Sequence, residues 1–505
     1  MIPLTLEQIR AVVAGRLEHG SSDTVVTGNV EFDSRKIHAG DLFVALAGAR
    51  VDGHDFVAQT IEQGAVAALT ARSVGESAIV VPPVASEHNQ AYAFAHDTDG
   101  SVAAVLAALS KLARHVVDTL DVTVVGVTGS AGKTSTKDMM ATVFAAAGPT
   151  VAPPGSFNNE IGHPYTVLRC THETQYLIAE LSARGKGHIA KLAEIAPPTI
   201  GVVLNVGSAH VGEFGSQENI AAAKGELVEA LPADGVAVLN ADDPLVAAMA
   251  SRTQARVLYY STTQPVDVYA SDIVLDESAR ARFTLHFNDA TAPIALQVHG
   301  EHQVSNALAA AAAALAAGIP FATVAAQLSA HTAASEHRMD VQVRADGLTV
   351  VDDSYNANPD SMRAALTAAV NMRTPQGRVI AVLGPMGELG VTARNDHEAV
   401  IEYAHDLGVD AVMAIGEHPD VHAYATRSRQ LGIPCQWLGD AASGLTALRE
   451  YIQPHDVVLV KASNAAQLWT IASGLLECAA TPSGSNGQSG QTCERLEHNT
   501  NQEEN

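Results

Sequence analysis

Val124-Val125-Gly126-Val127-Thr128-Gly129-Ser130-Ala131-Gly132-Lys133-Thr134-Ser135-Thr136 is an apolar strand that enters a glycine-rich turn and then a helix opened by a lysine and hydroxyls. Glycines free backbone N–H groups to face anionic oxygens, the helix N-terminus adds partial positive charge, and a lysine supplies a mobile cation. Gly129, Ser130, Ala131, Gly132, Lys133, Thr134 and Ser135 are therefore the candidate phosphate cradle, with the Thr134 hydroxyl available to Mg²⁺. The pattern points to a nucleoside triphosphate. Its register is unusual: G-x-x-x-x-G-K-[ST] requires glycine where this chain has Val127, and Gly126 and Gly129 stand nearby instead. A purely structural turn is the competing reading, and the strand before it and the helical run over 137–147 after it argue against that.

Outward from the loop, apolar strands at 123–127, 176–180, 200–205 and 236–240 alternate with helical stretches, which predicts a parallel sheet covered by helices. A polar β-rich insertion over 256–298 breaks the pattern before a helix near Val304. At 505 residues the chain exceeds one core. We divide it into a small N-terminal α/β unit (1–99), the central nucleotide-binding unit (100–334) and a C-terminal Rossmann-like doubly wound unit (335–478). Strands at 348–352, 379–383, 411–415 and 457–460 carry the last of these. Residues 479–505 are rich in Ser, Gly, Gln and Asn and are expected to be a disordered tail.

A hydrophobic content of 47% against 17% charged residues excludes wholesale disorder, and the longest apolar run, 307–317, is too short to span a bilayer. No basic region followed by an apolar one opens the chain, so the cytoplasm is expected. Cys170, Cys435, Cys478 and Cys493 lie far apart without C-x-x-C spacing, which argues against a zinc site and a disulfide framework. With 30 Lys+Arg against 55 Asp+Glu the net charge is −25, which disfavours nucleic acid or an anionic membrane as partner. Against that background Arg35, Lys133, Arg184, Lys186, Lys224 and Arg338 stand out as cations a nucleotide would need.

Glu180 ends an apolar strand at its C-terminal tip, where open α/β sheets place their ligands, and is a candidate Mg²⁺ ligand. His210 follows the next strand near the same edge. On local sequence alone it reads more readily as a loop or capping residue, and Lys224 as a solvated lysine on a helix face. Val350-Val351-Asp352-Asp353-Ser354-Tyr355-Asn356-Ala357-Asn358-Pro359 sets two carboxylates, an aromatic ring and two amides at another strand tip. A turn before proline accounts for one or two of them, not for all five.

Together, TGSAGKTSTK at 128–137, NNEIGHP at 158–164, AEL at 179–181, NVGSAH at 205–210, AKGE at 223–226, GEHQVSNALAAAA at 300–312 and DDSYNANPDSM at 352–362 resemble the Mur ligase family. The off-register phosphate loop is itself that family's form. FDSRK at 32–36 and VDGHDF at 51–56, with DSYNANP, resemble the branch that joins D-alanyl-D-alanine to UDP-N-acetylmuramoyl-tripeptide. The resemblance implies a three-domain, ATP- and Mg²⁺-dependent amide ligase, expected to act as a monomer, in which the substrate carboxylate becomes an acyl phosphate before the amine attacks. It implies that Lys133 and Thr134 hold phosphates and metal, that Glu180 and His210 are metal ligands, and that Lys224 binds a second Mg²⁺ as its carbamate. It further implies that Arg338 reaches the γ-phosphate, that Asn306 and Asp353 contact the nucleotide, that Ser34 and Arg35 contact the uridine nucleotide, and that Asn158, Asn159, Asn356 and Asn358 serve the other substrates. Gln303, Ser182 and Lys461-Ala462-Ser463-Asn464 depart from the family's usual residues. The runners-up are the diamino-acid-adding ligase, whose DNPR segment is missing here; folylpolyglutamate synthetase, which lacks a uridine-nucleotide domain; and a noncatalytic nucleotide-binding regulator, which has no need of the 352–358 cluster.

Overall fold

A computed structural model describes residues 1–48, 51–84, 97–207 and 211–477, without the side chains of Val211 and Glu213. The tail over 479–505 and His210 lie outside the described residues. The chain forms three α/β units in sequence order, each built on its own principal sheet.

In the central unit, strand Thr123–Thr128 lies between Tyr176–Glu180 and Ile200–Val203 and is parallel to both, so its C-terminal end opens beside Glu180. Residues along these strands alternate between two cores. Val124, Leu177, Ala179 and Val203 face one, while Val125, Val127, Ile178 and Val202 face the other. This period of two, apolar at every position, is what a parallel strand buried on both faces requires. The alanine-rich helix His302–Ala316 fills the second core, because small side chains let it lie close against the phosphate-loop helix Lys133–Ala145 and the sheet. The stretch read from sequence as a separate insertion is not separate: Arg256–Ser261, Val268–Leu275, Arg280–Phe287 and Ala290–His299 extend the same nine-stranded sheet, its last two pairings antiparallel. The phosphate-loop helix also starts earlier than the 137–147 expected, at Lys133.

The N-terminal unit carries a five-stranded sheet and shares its apolar core with the central unit: Ile2, Leu6 and Leu42 belong to one continuous cluster with Leu109, Leu192 and Leu239. Helix Ser101–Thr119 is the bridge, packing against Leu6–Val13 on one side and Gly162–Val167 and His188–Ile195 on the other. The C-terminal unit has a six-stranded sheet, parallel except for its edge strand Asp340–Val343, with a separate core on each face.

Gly126 explains part of the unusual register. It lies inside the strand, not in the turn, and a Cβ there would sit 3.0 Å from Leu227 Cδ1 and 3.4 Å from Leu181 and Pro198. Its glycine serves helix-on-sheet packing. Gly126→Val should therefore cost about 1–3 kcal/mol through overpacking, read as a lowered Tm, while nucleotide affinity in the folded protein stays near wild type; a strong loss of nucleotide binding without destabilisation would place Gly126 in the phosphate cradle instead.

Candidate active site

The turn after Thr128 is held from behind. Asn205, at the tip of the neighbouring strand, accepts from Ser130 N–H through its carbonyl (3.1 Å) and from Ala131 N–H through Oδ1 (2.9 Å), and donates Nδ2 to the Ala131 carbonyl (3.1 Å). Ser130 Oγ accepts from Gly207 N–H at 2.9 Å. With the turn's rear polar groups satisfied, Gly132 takes φ +83°, a left-handed conformation natural to glycine, and starts the helix. Intrahelical bonding begins with Thr136 N–H on Gly132 O (2.9 Å), so the N–H groups of Lys133, Thr134 and Ser135 are first-turn donors without an intrahelical acceptor. That is an anion cradle. Lys133 Nζ folds back to donate to Gly129 O at 2.6 Å, and burial lowers its pKa while Glu180 opposes the shift.

Glu180 is 1% exposed at its strand tip. Its Oε1 accepts from Asn158 Nδ2 at 2.7 Å and from Thr134 Oγ1 at 3.4 Å, whereas its buried Oε2 has no partner among the described residues. An ionised carboxylate buried with one oxygen unsatisfied is costly, and a cation held beside a threonine hydroxyl relieves it. Among the described residues no three His, Cys, Asp or Glu side chains converge, so such a cation would draw on this carboxylate, the hydroxyl and phosphate oxygens. Arg338 comes from the linker to the C-terminal unit: its guanidinium donates to Ser156 Oγ (3.0 Å) and Thr134 Oγ1 (3.3 Å), lies 4.4 Å from the Tyr355 ring centroid, and its buried Nε has no partner among the described residues.

Lys224 corrects the local sequence reading. It ends helix Gln217–Lys224 at only 4% exposure, and none of the hydrogen bonds among the described residues involves its Nζ. Burial, reinforced by the charge of Lys133, drives its pKa well below that of an ordinary lysine.

The phosphate loop, Glu180 and Arg338 border a cleft of about 890 Å³ between the central and C-terminal units, lined also by Asn158, Asn306, Asp353, Asn356, Asn358 and Lys461 but not by Lys224. Asn306 packs against Gly132, where a Cβ would meet its Oδ1 at 2.5 Å, and donates Nδ2 to Gln303 Oε1 at 2.9 Å. The unusual Gln303 thus orients Asn306. Asp353 lines the cleft with both carboxylate oxygens engaged, one by Lys461 Nζ (2.5 Å) and one by Met339 N–H (3.2 Å); Lys461, 1% exposed, also donates to Asn356 O at 2.8 Å. Asn358 caps helix Pro359–Asn371 through Ser361 N–H at 2.9 Å. Across the cleft, Arg184 of the central unit pairs with Glu388 of the C-terminal unit at 2.7 Å.

Five expected residues lie outside the cleft's lining: Lys224, described above, and Asn159, Ser34, Arg35 and Lys186. Asn159 does not line the cleft and uses its Oδ1 to accept from Ile161 and Gly162 N–H at 3.2 and 2.9 Å, a local capping role. Ser34 and Arg35 sit on a short 3-10 turn in the N-terminal unit, outside the cleft; Arg35 is exposed and pairs with Asp33 at 2.8 Å, which holds that carboxyl down at about 2. Lys186 is exposed. Sequence reasoning did not single out Asn205 or Ser156, although both stand within or beside quoted motifs.

The three Mur models match the chain in order: Mur ligase family, catalytic domain, over 27–116; Mur ligase middle domain over 127–314; and Mur ligase, glutamate ligase domain over 337–464. A UDP-N-acetylmuramoyl-tripeptide--D-alanyl-D-alanine ligase of Mycobacterium tuberculosis is 51% identical over 94% of this chain and 98% of its own length. The Escherichia coli protein of that name is 32% identical over 94% of this chain and 99% of its own. Among solved structures, MurF from Acinetobacter baumannii superposes with a TM-score of 0.80 at 29% identity, covering 94% of this chain and 99% of that one. MurF ligase from Thermotoga maritima in complex with ADP gives 0.73 at 27% identity, covering 90% and 98%. With a phosphate loop facing a second polar strand tip across one cleft, and relatives of this identity along nearly the whole chain, the protein belongs to the Mur ligase family.

Proposed function

We propose that the chain joins D-alanyl-D-alanine to UDP-N-acetylmuramoyl-tripeptide, with cleavage of ATP to ADP and phosphate, in the assembly of peptidoglycan precursors in the cytoplasm. The observation that carries this reading is the cleft: a phosphate loop, a carboxylate with one oxygen unpartnered among the described residues and an arginine on one wall face Asp353, Asn356 and Asn358 on the other. The 51% identity to a mycobacterial ligase of that name supports the substrate assignment. No helix of the described residues is long and apolar enough to cross a membrane.

A carboxylate is a poor acyl donor, so the reaction needs a leaving group on its carbon. In the proposed sequence, an oxygen of the tripeptide's terminal carboxylate attacks the γ-phosphorus, the bond to ADP breaks, and an acyl phosphate remains. The dipeptide amine then attacks the acyl carbon, loses a proton, and expels inorganic phosphate as the amide forms. Lys133 and the first-turn N–H groups hold the β- and γ-phosphates, and Arg338 places a second cation on the transferred group. Asn306, oriented by Gln303, contacts the nucleotide; Asp353, fixed by Lys461, forms the wall beside the ribose. Asn356 and Asn158 present amides toward the reacting carboxyl and the dipeptide, with Asn358 shaping the same rim. Mg²⁺, when bound, would offset charge on the phosphoryl oxygens; Thr134, Glu180 and His210 are the groups we assign to metal binding, and the Lys224 carbamate is assigned to a second ion. A neutral, desolvated Lys224 amine is the nucleophile that carbamylation requires, which is why its lowered pKa supports that state. Ser34 and Arg35, on the N-terminal unit, are assigned to the uridine nucleotide.

The deciding assay is ADP release and pentapeptide product measured with both substrates, then with each omitted, using lysine- and diaminopimelate-containing tripeptides in parallel. ADP release that ignores D-alanyl-D-alanine would sink the assignment. Lys133→Ala should lower turnover at least about a hundredfold, the scale of a removed transition-state donor, at unchanged Tm; near-native turnover in the folded variant would refute the phosphate-loop role. Lys224→Ala should lose activity and recover part of it with a short carboxylic acid, whereas Lys224→Arg should not respond. Absence of rescue together with ordinary Mg²⁺ dependence would leave Lys224 unmodified.

A further inference from the structure

The linker between the central and C-terminal units runs antiparallel along one face of the phosphate-loop helix. His331 Nδ1 meets Thr142 Oγ1 at 2.8 Å, Ser335 Oγ donates to Asp138 Oδ2 at 2.6 Å, and Arg338 reaches Thr134 Oγ1 at 3.3 Å. Residues 134, 138 and 142 are one helical turn apart and therefore stack on a single face. Asp138 is only 8% exposed, and Lys137, 2% exposed, pairs with its other oxygen while donating to Pro153 O at 3.1 Å, so the charge that receives Ser335 is fixed in direction.

The other end of the linker is held by the C-terminal unit. His337 bonds Asp352 Oδ2 through Nδ1 at 2.7 Å and stacks on Trp469, and Met339 N–H donates to Asp353 Oδ1 at 3.2 Å. His337 and Met339, on either side of Arg338, have φ of +58° and +51°. Left-handed backbone at two non-glycine residues persists only where the surroundings over-determine it. Here the fixed points on both sides do so.

We propose that Asp138 is a positioning residue for phosphoryl transfer: by holding Ser335 it sets the register of the linker on the helix and so aims Arg338 at the γ-phosphate position beside Thr134. Asp138 acts through Ser335 and Arg338 and does not touch the nucleotide. The inference rests on the γ-phosphate role proposed for Arg338, and nucleotide binding tests it apart from ligase turnover.

Ser335→Ala removes the bridging hydroxyl and leaves the buried Lys137–Asp138 pair in place, so the variant should fold with a Tm lowered by no more than a few degrees. Its affinity for the non-hydrolysable triphosphate AMP-PNP should fall about tenfold, with ADP affinity within twofold of wild type. Ser335→Thr, which restores the hydroxyl, should recover most of the loss. In an Arg338→Lys background, Ser335→Ala should cause no further loss, because both act on one contact. Unchanged AMP-PNP affinity in Ser335→Ala, or losses that add in the double variant, would overturn the proposal. A wild-type chain that binds AMP-PNP in this pattern but forms no pentapeptide would instead defeat the ligase reading and leave the positioning role standing.

Discussion

A loop that offers its N–H groups to phosphate cannot spend them on itself, so its remaining polar groups must be satisfied from behind. Asn205 meets that constraint with one side chain and its own carbonyl, and does so because strand Ile200–Val203 is hydrogen-bonded directly beside strand Thr123–Thr128. Everything catalytic is then referenced to this turn: Glu180 from the strand on its other side, Asn306 from the helix that packs on Gly132, and Arg338 from the linker on the following helix. The sheet order decides which chemistry can assemble.

Charge is used economically in this acidic chain. Lys224 and Lys461 are withdrawn from bulk water and Lys133 partly so, and burial lowers the pKa of each. Their partners differ, and so do their roles. Lys461 has a carboxylate at 2.5 Å and serves as a buried strut between two strands of the C-terminal sheet. Lys224 has no carboxylate facing it among the described residues, and Lys133 has a carbonyl oxygen and the longer-range field of Glu180. A lysine desolvated without a counter-charge is reactive or awaiting an anion; a lysine desolvated against an aspartate is structural.

Much of this was legible in the sequence, for physical reasons that can be named. The phosphate loop, Glu180 and the 352–358 cluster are local signals, with strand, turn and chemistry adjacent in the chain, and each lies at a strand tip in the folded protein. Lys224 was misjudged locally because its helix is short and polar at one end, and its burial comes from elements distant in sequence. Asn205 went unassigned because an asparagine ending an apolar strand looks like any turn residue; only the parallel pairing with Thr123–Thr128 shows what it clamps. The strands over 268–299 read as an insertion because antiparallel strands at the sheet's edge expose one face and so lose the continuous apolar run of the central ones.

The apolar cluster that joins residues from Met1 to Ala255 has a consequence for how the chain is made. One face of the first sheet packs locally, in a small core of residues between Phe43 and Val80, but Val30, Leu42, Leu69 and Ile79 on the other face complete their packing against helices and strands encoded downstream, so on the ribosome that face waits, partly unburied, until the central sheet has emerged. The C-terminal unit carries no such debt: its two cores draw almost wholly on residues from Met339 to Leu475, with Ala279 the one contribution from upstream. Synthesis thus delivers an early half in which the second face of the first sheet is covered late, and a smaller late unit whose two cores close almost wholly within itself.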